Sequence, residues 1–327
     1  MNTILYMVIP CYNEEEVLPE TAKELQKKIS YLIEKKEIDD CSRIVFVNDG
    51  STDDTWKLIE ELHQSNKVFS GINLSRNCGH QNALLAGLLT AKKEADVMIS
   101  MDADLQDDIE AIDAMIKSYH AGNDIVYAAR NKRETDTFFK RFSAESFYKL
   151  MNSMGSETVF NHADYRLMSK RAVEGLEQYK EVNLFLRGIV PMIGYPSDIV
   201  YFERKKRFAG KSKYPLGKML SFAVEGITSL SIQPMRMITA LGLGVFSVSI
   251  LILIYSLVRH FNGSTIVGWT SIALSIWAIG GLILLSLGIM GEYIGKIYLE
   301  TKERPRYIVQ EFLNDNDNPK NEEITNE

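Results

Sequence analysis

Four short apolar runs in the first third of the chain each end abruptly in a polar cluster, with helical segments between them. The runs are TILYMVIP, RIVFVND, FSGINLS and DVMISMDAD. The clusters at their ends are PCYNEEE, NDGSTDD, SRNCGHQ and DADLQDD. Between them lie EEEVLPETAKELQKKISYLIEKK, a segment from about Thr52 to His63, and HQNALLAGLLTAKK, with a further helix expected to start near Ile109. Strands that alternate with helices of roughly 10–15 residues form parallel βαβ units, because parallel neighbours need a long crossover. Sheets built this way bind ligands beyond the carboxyl ends of their strands. Four polar clusters at four such ends mark one edge of the sheet as a site.

Within DADLQDD, Asp102 and Asp104 are separated by one residue at a strand end, so their carboxylates approach the same small volume. Close carboxylates repel and raise each other's pKa. A hard cation such as Mg2+ or Mn2+ relieves that repulsion and favours oxygen ligands shared with substrate phosphates. Gln106 adds a neutral oxygen, whereas Asp107 and Asp108 suit the acidic start of a helix. In NDGSTDD two readings stay open: turn and cap chemistry, or Asp49 against the base or ribose of a nucleotide. In NHADYRLMSKRAV, Asp164 and Arg166 precede a helical run, where an aspartate is commonly a cap. Basic residues gather later in ARNKRETDTFFKR and ERKKRFAGKSKYPLGK. Such runs serve as solvated faces or attract anionic lipid. Gly210 and Ser212 interrupt the second run in a way that suits close backbone approach to an anion.

The last third differs. Met237–Val258 carries no charge and lies between Arg236 and Arg259, and a second uncharged stretch runs from Phe261 to Gly291. Each supplies the ~20 apolar residues that cross ~30 Å of hydrocarbon. Two spans, about 237–258 and 266–290, joined by the short RHFNGST, would form a hairpin. Basic residues crowd before the first span and follow the second at Lys296, Lys302, Arg304 and Arg306, whereas the connector offers Arg259 and His260. The positive-inside bias then puts both termini in the cytoplasm. LGKMLSFAVEGITSLSIQ reads as an interfacial amphipathic helix. Gly242, Gly244, Gly280 and Gly281 would allow the close helix packing of a homo-oligomer. Three cysteines, widely spaced, fit a reducing compartment and neither a disulfide framework nor a zinc site. A net charge of -6 argues against nucleic acid as a partner. The start of the chain reaches a proline and three glutamates too soon for a secretion signal, and the end, NDNDNPKNEEITNE, is expected to be disordered.

Together, VIPCYNEEE, VFVNDGSTDDT, LSRNCGHQNALLAGL, MDADLQDD, ADYRLMS, NLFLRGIVPMIGY and RFAGKSKYPLGKML, followed by two apolar spans, resemble the family 2 glycosyltransferases. Within that family the chain is similar to the polyprenyl-phosphate enzymes: bactoprenol glucosyl transferases and their dolichol-phosphate mannose synthase relatives. The resemblance covers about residues 3–310. It implies an α/β, GT-A fold, Rossmann-like with a mainly parallel sheet, and a nucleotide sugar and a divalent cation, Mg2+ or Mn2+, at the strand ends. By motif, Pro10, Tyr12, Asn13, Glu14, Asp49 and Asp102 would bind the nucleotide sugar. Asp102, Asp104 and Gln106 would hold the metal, and Asp102, Asp104 and Asp164 would form the catalytic set. Arg130, Arg141, Arg207, Ser212 and Lys213 would bind the lipid phosphate.

The implied reaction is inverting transfer of one hexose, glucose foremost, from a UDP-sugar to undecaprenyl phosphate at the cytoplasmic membrane face. Its product would be a lipid-linked sugar donor for cell-envelope glycan modification. The alternatives are a different sugar (N-acetylglucosamine, galactose or mannose), a non-lipid or processive acceptor, or a membrane-anchored nucleotide-sugar sensor. Processive relatives carry Q-x-x-R-W, and QPMRM here has Met237 in place of the tryptophan. A phosphate monoester has a second pKa of about 6, so the acceptor is largely ionised at neutral pH. Asp164 is therefore expected to orient a basic residue or the sugar. The implied organisation is a cytoplasmic catalytic domain (1–215), an interfacial helix (216–235), two transmembrane helices (within 236–300) and a cytoplasmic tail (301–327).

Overall fold

The strand–helix alternation closes into one mixed sheet. The computed structural model describes residues 3–130, 162–182, 185–202, 233–261 and 269–314. Strands β1 (Leu5–Cys11), β2 (Arg43–Asn48), β3 (Phe69–Leu74) and β4 (Val97–Ser100) are joined by helices α1 (Leu18–Glu34), α2 (Thr55–Ser65) and α3 (His80–Ala91). Helix α4 (Ala111–His120) leads to β5 (Ile125–Arg130). Then come β6 (His162–Ser169), α5 (Lys170–Glu177), α6 (Leu186–Met192) and β7 (Ser197–Phe202). Helices α7 (Gln233–Phe261) and α8 (Trp269–Thr301) precede a last strand, β8 (Val309–Leu313).

Among the described residues the strand order is β7-β5-β6-β4-β1-β2-β3-β8. β1 pairs in parallel with β2 and β4, β2 with β3, and β5 with β7. β6 runs antiparallel between β4 and β5, and β8 antiparallel against β3. The sheet is thus mainly parallel, as expected. β1 is buried along its whole length because helices cover both of its faces. Leu5, Met7 and Ile9 join one apolar layer with Leu18 and Leu25 of α1, Ile59 of α2 and Ile112 of α4. Tyr6 and Val8 join the other with Leu84 and Leu88 of α3, Val173 of α5 and Ile189 of α6. Each fully buried aliphatic side chain contributes about 1.5–3 kcal/mol, so the period-two alternation of β1 ties both layers to one strand.

Several elements depart from the sequence reading. α1 begins at Leu18 with Pro19 in its first turn, later than the glutamates suggested. β4 stops at Ser100, short of the aspartates. Asp164 is no helix cap: it lies within β6, and Ser169 caps α5 by accepting the Ala172 amide at 3.1 Å. Residues 309–313, expected in a tail, form β8 instead, extending the sheet beside β3. The rest of that tail beyond 314, most of the expected interfacial helix and part of the connector lie outside the described residues.

α7 and α8 belong to a second compact unit, distinct from the sheet. Where two membrane spans were expected, one segment among the described residues, Ile279–Thr301 with mean hydropathy 1.5, is long and apolar enough to cross a bilayer. It ends later than the expected 266–290 because α8 continues past Glu292 and Lys296 to Thr301.

Helix α3 packs unusually close to the sheet at Gly87, where a Cβ would stand 2.3 Å from Val8 Cγ1 and 2.7 Å from Val47 Cγ2. Gly87→Ala is expected to destabilise the sheet unit by about 1–3 kcal/mol through overpacking. Chemical denaturation of the detergent-solubilised protein measures this, and an unchanged midpoint would contradict the packing described.

Candidate active site at the strand ends

β4 and β6 are paired so that Val97 faces Ser169 and Ser100 faces Arg166. Just past the end of this ladder Asp102 comes close to Asp164, both lying within 4 Å of the same His80 nitrogen. The Ser100 hydroxyl closes this junction by donating to the Asp164 carbonyl at 2.5 Å.

Alternation along β6 puts Asp164 and Arg166 on the same face. Arg166 Nη2 donates to Asp164 Oδ1 at 2.7 Å, from a side chain only 1% exposed. Arg187, at the start of α6, donates through Nε to Oδ1 at 3.3 Å and through Nη2 to Oδ2 at 3.0 Å. Its side chain is 34% exposed. The first turn of α3 supplies two further parts. His80 Nε2 lies 3.6 Å from Asp102 Oδ1 and 3.7 Å from Asp164 Oδ2, and Gln81 Oε1 accepts the Leu186 amide at 2.8 Å. Burial works to raise the pKa of Asp164, but Arg187 and Arg166, with His80, hold its carboxyl far below the usual range. It is a fixed negative charge and a poor base.

Asp102 is different. Its side chain is 43% exposed. Crowding by protein raises its pKa most, and Asp164 and Asp104 add to that, against the opposite pull of His80 and Arg187. Asp104 Oδ1 accepts the Gln106 amide at 3.1 Å across Leu105, whose φ is 55. The described contact of Gln106 is thus through its backbone, and its side chain is buried. The donor set suits a hard divalent cation: hard oxygen donors, one partly open, whose mutual repulsion a positive charge would relieve. A tighter acidic group, Asp39, Asp40 and Cys41, precedes β2 at the opposite, amino end of the strands and is removed from this edge.

The loops after β1, β2 and β3 are laced together beside the acids. Asn13, at φ 53, donates its amide to Ser51 Oγ at 3.1 Å and accepts the Thr52 amide on Oδ1 at 2.9 Å. The Glu14 amide donates to Thr55 Oγ1 at 3.0 Å. Asp49 is buried, and its two oxygens accept the amides of Cys78 at 2.7 Å and Gly79 at 3.0 Å. Burial raises its pKa despite those two donors. Gly50, at φ 62, lets the turn approach so closely that a Cβ there would lie 2.4 Å from Asn77 N. Among the residues expected against the nucleotide, Asn13 and Asp49 also hold these loops to one another. Tyr12 beside them is exposed, and Pro10 is buried in β1.

Of the residues expected at a lipid phosphate, Arg130 ends β5 at this same edge, opposite Phe202 in register. Arg141, Arg207, Ser212 and Lys213 lie outside the described residues. The structure brings Asp102 and Asp164 together with His80, Gln81 and Arg187, none of which the sequence reading assigned. GHQ and FLRG carried them in plain view, but only the fold shows that they meet.

Asp164→Ala would leave Arg166 as an uncompensated buried charge, and the expected cost is about 3–5 kcal/mol. Urea denaturation of the variant measures it. A loss below about 1 kcal/mol would contradict the ion network described here.

Comparison with known proteins bears on this site. The model of the family described as "Glycosyl transferase family 2" matches residues 6–176, which include Asp102 and Asp164. "Uncharacterized glycosyltransferase YkoT" of Bacillus subtilis is 53% identical over 306 residues, covering 94% of this chain and 91% of that protein. "Bactoprenol glucosyl transferase" of Shigella phage SfX is 40% identical over 309 residues, covering 93% of this chain and 98% of that protein. The crystal structure of mannosyl-3-phosphoglycerate synthase from Rubrobacter xylanophilus overlaps with a TM-score of 0.48 at 16% identity, over 72% of this chain and 74% of that one.

Proposed function

The chain belongs to glycosyl transferase family 2, and on that premise we propose that it moves a single hexose, glucose, from a UDP-sugar to undecaprenyl phosphate at the cytoplasmic membrane face. One observation carries the transfer chemistry: the acid pair after β4 faces an acid on β6 whose charge is already committed to two arginines. The lipid acceptor is supported by the 40% identity to a bactoprenol glucosyl transferase along nearly the whole chain. It is supported too by α7 and α8, where Leu243, Leu251, Ile276 and Leu284 are all more than half exposed. Water does not tolerate apolar surface on that scale, whereas lipid does.

In this reading α7 and α8 form the two-helix membrane hairpin of a multi-pass protein, and residues 1–215 form the cytoplasmic catalytic domain to which β8 returns. The nucleotide lies over the ends of β1, β2 and β3, against Pro10, Tyr12 and the loops that Asn13, Glu14 and Asp49 hold. Asp102 and Asp104 would hold Mg2+ or Mn2+, which supplies positive charge against the departing diphosphate when bound. Gln106, whose backbone amide donates to Asp104, would add a neutral oxygen to that set. The acceptor phosphate is a dianion and attacks the anomeric carbon without a base. Asp164 accordingly orients cations and takes no proton. Arg130, Arg141, Arg207, Ser212 and Lys213 serve the lipid phosphate.

Membranes containing the protein, incubated with labelled UDP-glucose and undecaprenyl phosphate, are expected to yield label in the lipid phase. Polymer, or label only in water-soluble product, would refute the acceptor assignment, and label from a different sugar nucleotide alone would refute the donor. Chelation, or replacement of both Asp102 and Asp104 by alanine, is expected to lower the rate by about 100-fold or more. Excess Mn2+ or Mg2+ should restore the chelated enzyme but not the double variant. Undiminished turnover in either case would overturn the role given to the acid pair.

A further inference from the structure

Arg187 is both fixed and reachable. Its Nε and Nη2 grip the two oxygens of Asp164 side-on, and buried Arg166 pins that carboxylate from behind. Its backbone is anchored as well, by the Leu186 amide on Gln81 and the Gly188 amide on the Phe185 carbonyl at 2.9 Å. Arg166 is sealed from solvent, but a third of the Arg187 side chain is exposed.

The strand order says which substrate meets it. The laced loops hang from β1, β2 and β3, the acid pair follows β4, and Asp164 with Arg187 belongs to β6, on the far side of β4 from the nucleotide loops. β5, which ends in Arg130, is next beyond. We infer that Arg187 is a ligand of the acceptor phosphate, held in a set orientation by Asp164. This inference rests on the transfer reaction proposed above. A guanidinium already ordered by one carboxylate loses little further freedom on gripping a phosphate, and its planar fork suits two phosphate oxygens. In the step served, an oxygen of the phosphate dianion forms a bond to the anomeric carbon as the bond to the UDP oxygen breaks. UDP leaves with that electron pair, the lipid product retains one negative charge, and no proton moves.

The test measures both KM values with the full-length enzyme in detergent. Arg187→Ala is expected to raise KM for undecaprenyl phosphate by about tenfold to a hundredfold and to move KM for UDP-glucose by less than about twofold, from the loss of a charged hydrogen-bond donor. Arg187→Lys, which keeps the charge on Asp164 but not the fork, should recover part of the acceptor affinity. Thermal melting of both variants checks the fold, and the lysine variant carries the test if the alanine variant does not fold. A rise in donor KM, equal effects on both substrates, or a fall in kcat alone would overturn the assignment. Wild-type enzyme that leaves undecaprenyl phosphate unglycosylated would remove the reaction itself, an outcome distinct from any behaviour of the variants.

Discussion

β6 enters the sheet against the direction of its neighbours, and its pairing with β4 carries Asp164 up to the strand end beyond which Asp102 stands. A parallel strand in that place would have ended at this edge with its carboxyl terminus and continued into a loop. The reversed strand starts there, so its first residues, ordered by the ladder, face the acids of the next strand. Asp164 is ionised less readily beside Asp102 and Asp104 without help, because neighbouring carboxylates repel. Arg166 and Arg187 supply the help, and their positive charge holds the Asp164 carboxyl far below the usual range. The chemistry of the edge follows from that pairing.

The edge has two halves. On one side, three loops are held by short bonds among themselves: Asn13 to Ser51 and Thr52, Asp49 to Cys78 and Gly79, and Asn48 Nδ2 to Asn73 Oδ1 at 2.8 Å. On the other, side chains from α3, β6 and α6 converge on one carboxylate. Hydrogen bonds and ion pairs within the protein fix the side chains of both halves, which limits the freedom they would lose on gripping substrates. α3 joins them, since its first turn follows the Asp49-held loop and carries His80 and Gln81 across to β6 and α6.

The first four strands and their helices were legible because each apolar run is short, is almost wholly buried and ends in turn residues, as strands covered on both faces must be. That Asp102 and Asp104 stand close together just past β4 was legible for a similar local reason, their spacing after an apolar run. β6 was not. HADYRLMS mixes charge with apolar residues because it carries an ion network on one face, and SKRAV, directly after it, has helical character, which made Asp164 look like a cap. β8 has only five residues and follows a long helix, so no period announces it. His80 and Arg187 are 107 positions apart by number, and only tertiary packing reveals that they share Asp164. Asn13 and Asp49 show the converse limit. Their residue types fit a nucleotide as well as a loop clasp, and only the fold shows the backbone amides that make the clasp.

The most direct test of this account is anomalous scattering from crystals of the enzyme grown with Mn2+ and UDP. The account predicts a manganese peak in contact with Asp102 and Asp104, with the Asp164 carboxylate still on Arg166 and Arg187. A peak ligated by Asp164, with its arginines displaced, or one seated only among Asp39, Asp40 and Cys41, would contradict it.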